Sequence, residues 1–205
     1  ISDCLVGSEM CIRDRSKQFS TFDPYEPVMK DVAAYIFTSG TTGLPKAALV
    51  DHAKLVKGSF AGHFLCFNFK TKDRLYMTLP LYHSTGLVLG WAASLRSGCA
   101  NIIKPKFSAS EFWDDVKKYK ANKFIYVGEL CRYLMNLPAS ETDKSNSIVQ
   151  ISGNGLRPDI WDSFQKRFNI KKIVEIYGAT EAVGMTINSF GRSGMIGRKL
   201  SLIHI

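Results

Sequence analysis

Nine residues, Thr38-Ser39-Gly40-Thr41-Thr42-Gly43-Leu44-Pro45-Lys46, hold four hydroxyls, two glycines and one cation. That composition suits an anion better than a plain turn. Glycines bring backbone N–H groups close to an oxyanion, hydroxyls donate to it and lysine neutralises it. Pyrophosphate oxygens are the natural guest. The segment is not a Walker loop, because its two glycines are too close together, Pro45 precedes the lysine and Ala47 follows it. A GTPase- or kinase-type phosphate loop is therefore disfavoured.

A second cluster, Tyr177-Gly178-Ala179-Thr180-Glu181, follows an apolar run. A tyrosine ring stacks on a purine, glycine admits a ligand to the backbone, threonine bonds a phosphoryl or carboxylate oxygen, and glutamate is a hard oxygen ligand for magnesium. Those are the needs of an ATP site. Gly153-Asn154-Gly155-Leu156-Arg157-Pro158 offers backbone amides and an amide side chain, suited to reading an adenine edge. His83, in Pro80-Leu81-Tyr82-His83-Ser84-Thr85-Gly86, stands at a turn where an isolated histidine is more often structural, and only its motif argues for the site. His52 and His63 lie outside any motif and read as structural.

The elements that must hold these loops are short apolar runs alternating with longer amphipathic ones, the pattern of an α/β fold in which mixed sheets are layered with helices. Strands are expected over residues 33–38 and 47–50, flanking the first loop as a hairpin, with Asp51 capping a helix. Further strands are expected over 74–79, 99–103, 123–127, 148–152 and 172–176. Ser84 should cap a helix ending near Gly98, and Ser108 with Glu111 should form a capping box for a helix burying Phe112, Trp113, Val116 and Tyr119. Helices are also expected over 129–136 and from Pro158, with a surface loop over 139–146. Ligands in such folds collect where strands end. The loops at 39–46, 153–155 and 177–181 each follow a strand, so they should converge on one site.

Composition bounds the reading. The chain has 205 residues, 45% hydrophobic and 22% charged, enough for one sizeable core. Twenty-seven Lys and Arg against 18 Asp and Glu give +9, which favours anionic partners: nucleotides, coenzyme A, nucleic acid or a membrane surface. No basic stripe interleaved with aromatics speaks for nucleic acid. The five cysteines show neither CxxC spacing nor a Cys/His cluster, so neither zinc nor a disulfide framework is suggested, and a reducing, cytoplasmic setting is expected. No apolar run approaches the roughly 18 residues of a membrane span.

The two ends read differently. Met10-Cys11-Ile12-Arg13-Asp14 can be encoded by a string whose reverse complement, one base out of frame, spells the Ser-Leu-Ile-His of residues 201–204 and begins the next isoleucine codon. That string matches a transposon adapter used in sequencing libraries. Residues 1–15 and 200–205 are therefore expected to be adapter-derived, leaving 16–199 as native sequence.

YIFTSGTTGLPK, from Tyr35 to Lys46, resembles the signature loop of the adenylate-forming superfamily, and YGATE resembles its adenine and magnesium motif. GNGLRP, with YVGELCRYL from Tyr126 to Leu134, resembles the fatty acid transport protein and very-long-chain acyl-CoA synthetase branch. The resemblance spans nearly all of residues 35–198, although Ala182 and Val183 replace the Gly-Asn of that branch. It implies part of the N-terminal domain of the adenylate-forming fold, with ATP, magnesium and coenzyme A serving a long- or very-long-chain fatty acid-CoA ligase.

By motif position, Thr41, Thr42 and Lys46 would hold the β- and γ-phosphates, within a loop that also includes Thr38, Ser39, Gly40 and Gly43. Glu181, with Thr41, would bind magnesium, and Thr180 would contact the α-phosphate or acyl carboxylate. Tyr177 and Asn154 would face adenine, with Gly153, Gly155, Gly178 and Ala179 shaping the pocket. His83, Tyr126 and Gly128 would line the acyl site. The family's ribose-binding aspartate, hinge and C-terminal lysine follow YGATE beyond residue 199, so the chain alone is expected to be inactive. The alternative is a non-catalytic nucleotide-binding module, or a fatty-acid-uptake module associated with the membrane in the full-length protein. The wager is spatial: Lys46 and Glu181 must share one triphosphate.

Overall fold

The computed structural model describes residues 25–38, 44–181 and 185–199. The adapter-like segments 1–15 and 200–205 lie outside the described residues, as do Ser39, Gly40, Thr41, Thr42 and Gly43 of the phosphate-type loop.

Alternation along the first two apolar runs produces the expected hairpin. β1 (Val32–Thr38) pairs antiparallel with β2 (Lys46–Asp51), and Thr38 stands opposite Lys46. Ile36, Ala48 and Val50 bury one face. Asp51 then caps α1 (His52–Phe60), its carboxylate accepting from the Lys54 N–H at 2.6 Å. The helix runs on through a π-wound stretch, Ala61–Phe67, which closes at Asn68 in the left-handed region.

Seven further strands make one sheet: β3 (Arg74–Met77), β4 (Ala100–Ile103), β5 (Lys123–Val127), β6 (Gln150–Asn154), β7 (Lys172–Gly178), β8 (Met185–Asn188) and β9 (Arg198–Lys199). Their order is β4-β3-β5-β6-β7-β8-β9. The first five in that order run parallel, and β8 and β9 are antiparallel additions. Parallel strands need cover on both faces. On one face, Tyr76, Phe124, Tyr126, Ile151 and Ile173 pack against α3 (Ala109–Tyr119), α4 (Gly128–Met135) and α5 (Pro158–Arg167), through residues such as Phe112, Leu134 and Trp161. On the other, Leu75, Met77, Ile125, Val174 and Ile176 meet Cys66, Phe67, Leu89 and Ala93. Each fully buried large apolar side chain contributes about 1.5–3 kcal/mol, so the two clusters fix the register of the sheet.

Two capping expectations are corrected. The segment after Ser84 is helical, but π-wound over Thr85–Ala92 before it tightens into α2 (Ala93–Ser97) and ends at Gly98 with φ 69°. Ser84 caps nothing with its side chain. Ser108 precedes α3 without a capping hydrogen bond; its hydroxyl faces Ser110 at 3.2 Å, and Glu111 lies 3.9 Å from Lys104. The Ser84 hydroxyl is taken by a partner distant in sequence, Thr180, and that of Ser108 by its near neighbour Ser110. The expected loop at 139–146 contains a short 3₁₀ turn, Glu141–Lys144, capped by Ser140. The strand expected at 148–152 falls at Gln150–Asn154, which carries Gly153 and Asn154 to its very end.

Because β3 through β7 are parallel, their C-terminal ends share one edge of the sheet. The Pro80–Gly86 segment, Gly128, Gly155-Leu156 and Thr180-Glu181 all follow those ends, with Gly153 and Asn154 the last two residues of β6.

Candidate functional site

Among the described residues, a side-chain hydrogen bond ties the hairpin to this edge. The Thr38 hydroxyl donates to the Glu181 carboxylate at 2.7 Å, across 143 positions of sequence. Thr38 and Lys46 are cross-strand partners, so their side chains leave the hairpin on the same face. Lys46 thus stands beside the threonine that touches Glu181, and both Lys46 and Glu181 are exposed to solvent. The loop of hydroxyls and glycines that joins Thr38 to Lys46 has its two feet at this point.

The Thr38 hydrogen bond also sets the charge of Glu181. Its carboxyl is held below the ordinary 4.5, chiefly by that hydroxyl and then by a backbone N–H. An ionised, solvent-facing carboxylate flanked by hydroxyls has the donor chemistry of a magnesium site that borrows its remaining oxygens from phosphate and water. Among the described residues no group of three or more His, Cys, Asp or Glu is placed to hold a metal.

Thr180 meets the Pro80–Gly86 segment: its hydroxyl lies 3.1 Å from that of Ser84. This contact takes the hydroxyl expected to cap the helix. His83, one residue away, is exposed, and its Nδ1 accepts from the Thr85 N–H at 3.2 Å. In a neutral ring that acceptor leaves the proton on Nε2, which can donate outward. Tyr177, one residue before the end of β7, is 64% exposed, and Gly178, which ends the strand, and Ala179 are exposed as well.

The Gly153–Leu156 turn is arranged differently from the expectation. Its Gly155 and Leu156 amides do not face out: both donate to the carboxylate of Glu175, the Leu156 N–H at 3.2 Å. Gly153 is paired on both sides within the sheet. The exposed Asn154 side chain is therefore the turn's outward polar group.

Gly128 and Tyr126, both expected at the acyl site, are placed against this turn. A Cβ on Gly128 would collide with the Gly155 carbonyl, so glycine there permits α4 to begin against the turn. Tyr126 presents no accessible surface and gives its hydroxyl to Glu175 at 2.7 Å. Its ring belongs to the core cluster that packs under the site.

Sequence reasoning missed Glu175 and the Ser84 contact. The available signal for Glu175 was a lone carboxylate inside the apolar strand KIVEIYG, since such groups are rarely buried without partners. Ser84 offered no such signal, because its hydroxyl finds Thr180 across 96 positions.

A family model described as AMP-binding enzyme matches residues 4–203. The chain is 47% identical over 168 residues to long-chain fatty acid transport protein 3 of Mus musculus, covering 82% of this chain and 25% of that protein. It is 44% identical over 161 residues to the medium/long-chain-fatty-acid–CoA ligase FadD6 of Mycobacterium tuberculosis, covering 78% of this chain and 27% of that one. Its fold is similar to that of ATP-bound MatB from Rhodopseudomonas palustris, with a TM-score of 0.77 at 25% identity over 92% of this chain and 38% of that one. The chain spans about a quarter of the length of these curated relatives. Among the described residues, no helix is long and apolar enough to cross a membrane.

Proposed function

The chain belongs to the AMP-binding enzyme family, and on that premise we propose that the complete protein is an ATP-dependent, AMP-forming fatty acid-CoA ligase acting on long- or very-long-chain carboxylates. The observation that carries this reading is the Thr38–Glu181 hydrogen bond, which sets the feet of the hydroxyl-rich loop beside a carboxylate kept ionised. The substrate class follows its similarity to the fatty acid transport proteins and FadD6.

In this reading a carboxylate oxygen of the fatty acid attacks the α-phosphorus of ATP, the bond to the β-phosphate oxygen breaks, and pyrophosphate leaves. The thiol of coenzyme A then attacks the acyl carbon of the acyl-adenylate, so that the thioester bond forms, the bond to AMP breaks, and AMP and the thiol proton are released. Such a reaction needs positioning and charge neutralisation more than a strong base. Lys46, with Thr38, Ser39, Gly40, Thr41, Thr42 and Gly43, holds the β- and γ-phosphates. Magnesium, when bound, neutralises charge on the departing pyrophosphate. Glu181 and Thr41 would hold that ion. Thr180, steadied by Ser84, orients the α-phosphate or the acyl carboxylate, and the Nε2 proton of His83 is available to the carboxylate. Tyr177 stacks on adenine, and Asn154 reads its edge within the pocket shaped by Gly153, Gly155, Gly178 and Ala179. Gly128 borders the acyl site, and Tyr126 supports it from beneath.

The test is acyl-CoA formation by the full-length protein across fatty acids of different lengths, with and without Glu181→Ala. Loss of about 100-fold or more in kcat/KM is expected, as for removal of a group that stabilises transition-state charge. Acyl-CoA formation left intact by that substitution would replace the ligase with a non-catalytic nucleotide-binding or membrane-associated uptake module.

A further inference from the structure

We infer that Glu175 is a positioning residue for the nucleotide site: it fixes the 153–156 turn so that Asn154, and not the turn's backbone, reads the adenine edge. This inference rests on the ligand assignment proposed above, and it adds a residue that no motif contains.

Glu175 sits in β7 and is only 7% exposed. Three donors converge on it: the Tyr126 hydroxyl on Oε2 at 2.7 Å, and the Gly155 and Leu156 N–H groups on Oε1. All three give protons and none accepts, which is the partner set of an ionised carboxylate. Burial pushes its carboxyl above the ordinary 4.5, while the Tyr126 hydroxyl and the two amides pull back.

The register explains how the three meet. Tyr126 and Glu175 occupy neighbouring positions on either side of Gly153, in β5 and β7. A Cβ on Gly153 would come within 2.0 Å of the Tyr126 carbonyl oxygen and 2.8 Å of the base of its ring, so glycine in the middle strand admits both the backbone and the ring of Tyr126 at this distance. Gly155 has φ +82°, a left-handed turn open to glycine, and its carbonyl abuts Gly128. The turn is therefore held by a carboxylate beneath it and by the start of α4 beside it.

Packing alone gives no reason for this arrangement. Desolvating a carboxylate costs several kcal/mol, and an apolar side chain of similar volume would fill the space among Tyr126, Cys131 and Leu156 without that cost. What an apolar side chain cannot do is hold two backbone amides inward. With those amides engaged, the exposed Asn154 side chain is the polar group left at the end of β6.

The experiment uses the full-length protein and measures Kd for ATP and for GTP by calorimetry, alongside KM for the fatty acid. Glu175→Ala should weaken ATP binding about tenfold, with ATP-over-GTP preference reduced and fatty acid KM within about twofold, as expected for losing charged hydrogen bonds that act on one ligand. Glu175→Gln should recover most of the loss, because its carbonyl still accepts both amides while its NH₂ faces the tyrosine oxygen. ATP affinity unchanged in Glu175→Ala overturns the inference, as does a parallel rise in fatty acid KM, which marks general damage. If Glu175→Ala does not fold, Glu175→Leu, which fills the same space without holding the amides, decides: ATP Kd raised about tenfold with fatty acid KM within about twofold supports positioning, and an unchanged Kd overturns it. Wild-type protein that binds ATP but forms no acyl-CoA removes the ligase reading and leaves the Kd comparison standing. Wild-type protein that binds no ATP overturns both.

Discussion

The two ends of the parallel sheet are both rich in polar side chains, yet they spend them differently. At the N-terminal end, Lys123 is buried and reaches the Gln150 side chain at 2.8 Å and the Phe67 carbonyl at 3.2 Å, with Asp73 at 4.0 Å. Gln150 donates on to the Cys66 carbonyl at 2.7 Å, and Asn122 donates to Asp73 at 2.8 Å while accepting from the Arg74 N–H. Every one of these groups is answered from within the protein. At the C-terminal end, Lys46, His83, Asn154, Tyr177 and Glu181 are exposed, with His83 bonded on one side to the Thr85 N–H and Glu181 to the Thr38 hydroxyl. Buried polar groups must be paired, so the first end reads as structure, while the second keeps hydrogen-bonding capacity for something that comes from outside.

Substitutions at the two ends should therefore fail in opposite ways. The largest contrast pairs Glu181→Ala with a denaturation measurement: the activity loss expected above should come with a urea midpoint unchanged from wild type, because an exposed carboxylate holds little of the fold together. A large fall in stability would erase the distinction. At the other end, Lys123→Ala should cost about 3–5 kcal/mol in urea unfolding, since it removes the cation beside buried Asp73 and the donor to the Gln150 side chain and the Phe67 carbonyl. The folded fraction should keep the wild-type Kd for ATP.

Gly128→Ala tests the border between the two behaviours. The new methyl would meet the Gly155 carbonyl, so overpacking should cost about 1–3 kcal/mol. It should also weaken ATP binding several-fold by displacing the turn, a pairing of effects that neither end shows alone. Calorimetry and unfolding on one preparation separate the two losses.

The smallest effect is a pH shift at Glu181. Its folded value lies below 4.5, so its ionised form is present above that pH and is lost only as pH falls through the lowered value. Thr38→Val removes the leading cause, and an NMR titration of the Glu181 carboxyl should move up toward 4.5. Activity near neutral pH should change little through protonation alone, because both forms of the protein stay ionised there.

The strands were largely legible because buried parallel strands are continuous apolar runs. The segment 123–127 is found with the expected bounds, and Asp51 caps its helix as its type and position implied. Local polar motifs were less reliable. Ser84 and Ser108 carry the same capping signal as Asp51, but neither uses it, and Ser84 instead turns to Thr180. The π winding of Thr85–Ala92 and the antiparallel β8 and β9 had no readable local signature.

By itself the sequence determined which chemistry was present: a hydroxyl and glycine loop ending in Lys46, a carboxylate at Glu181 and an amide at Asn154, each after an apolar strand. Residue type and local order suffice for that, because hydrogen-bonding capacity and strand periodicity are properties of the chain. Tertiary structure alone decided who meets whom: Thr38 with Glu181, Ser84 with Thr180, and Tyr126 with Glu175 across Gly153. Those pairings depend on strand order and register, which are fixed by long-range packing of the two faces of one sheet and not by any window of sequence.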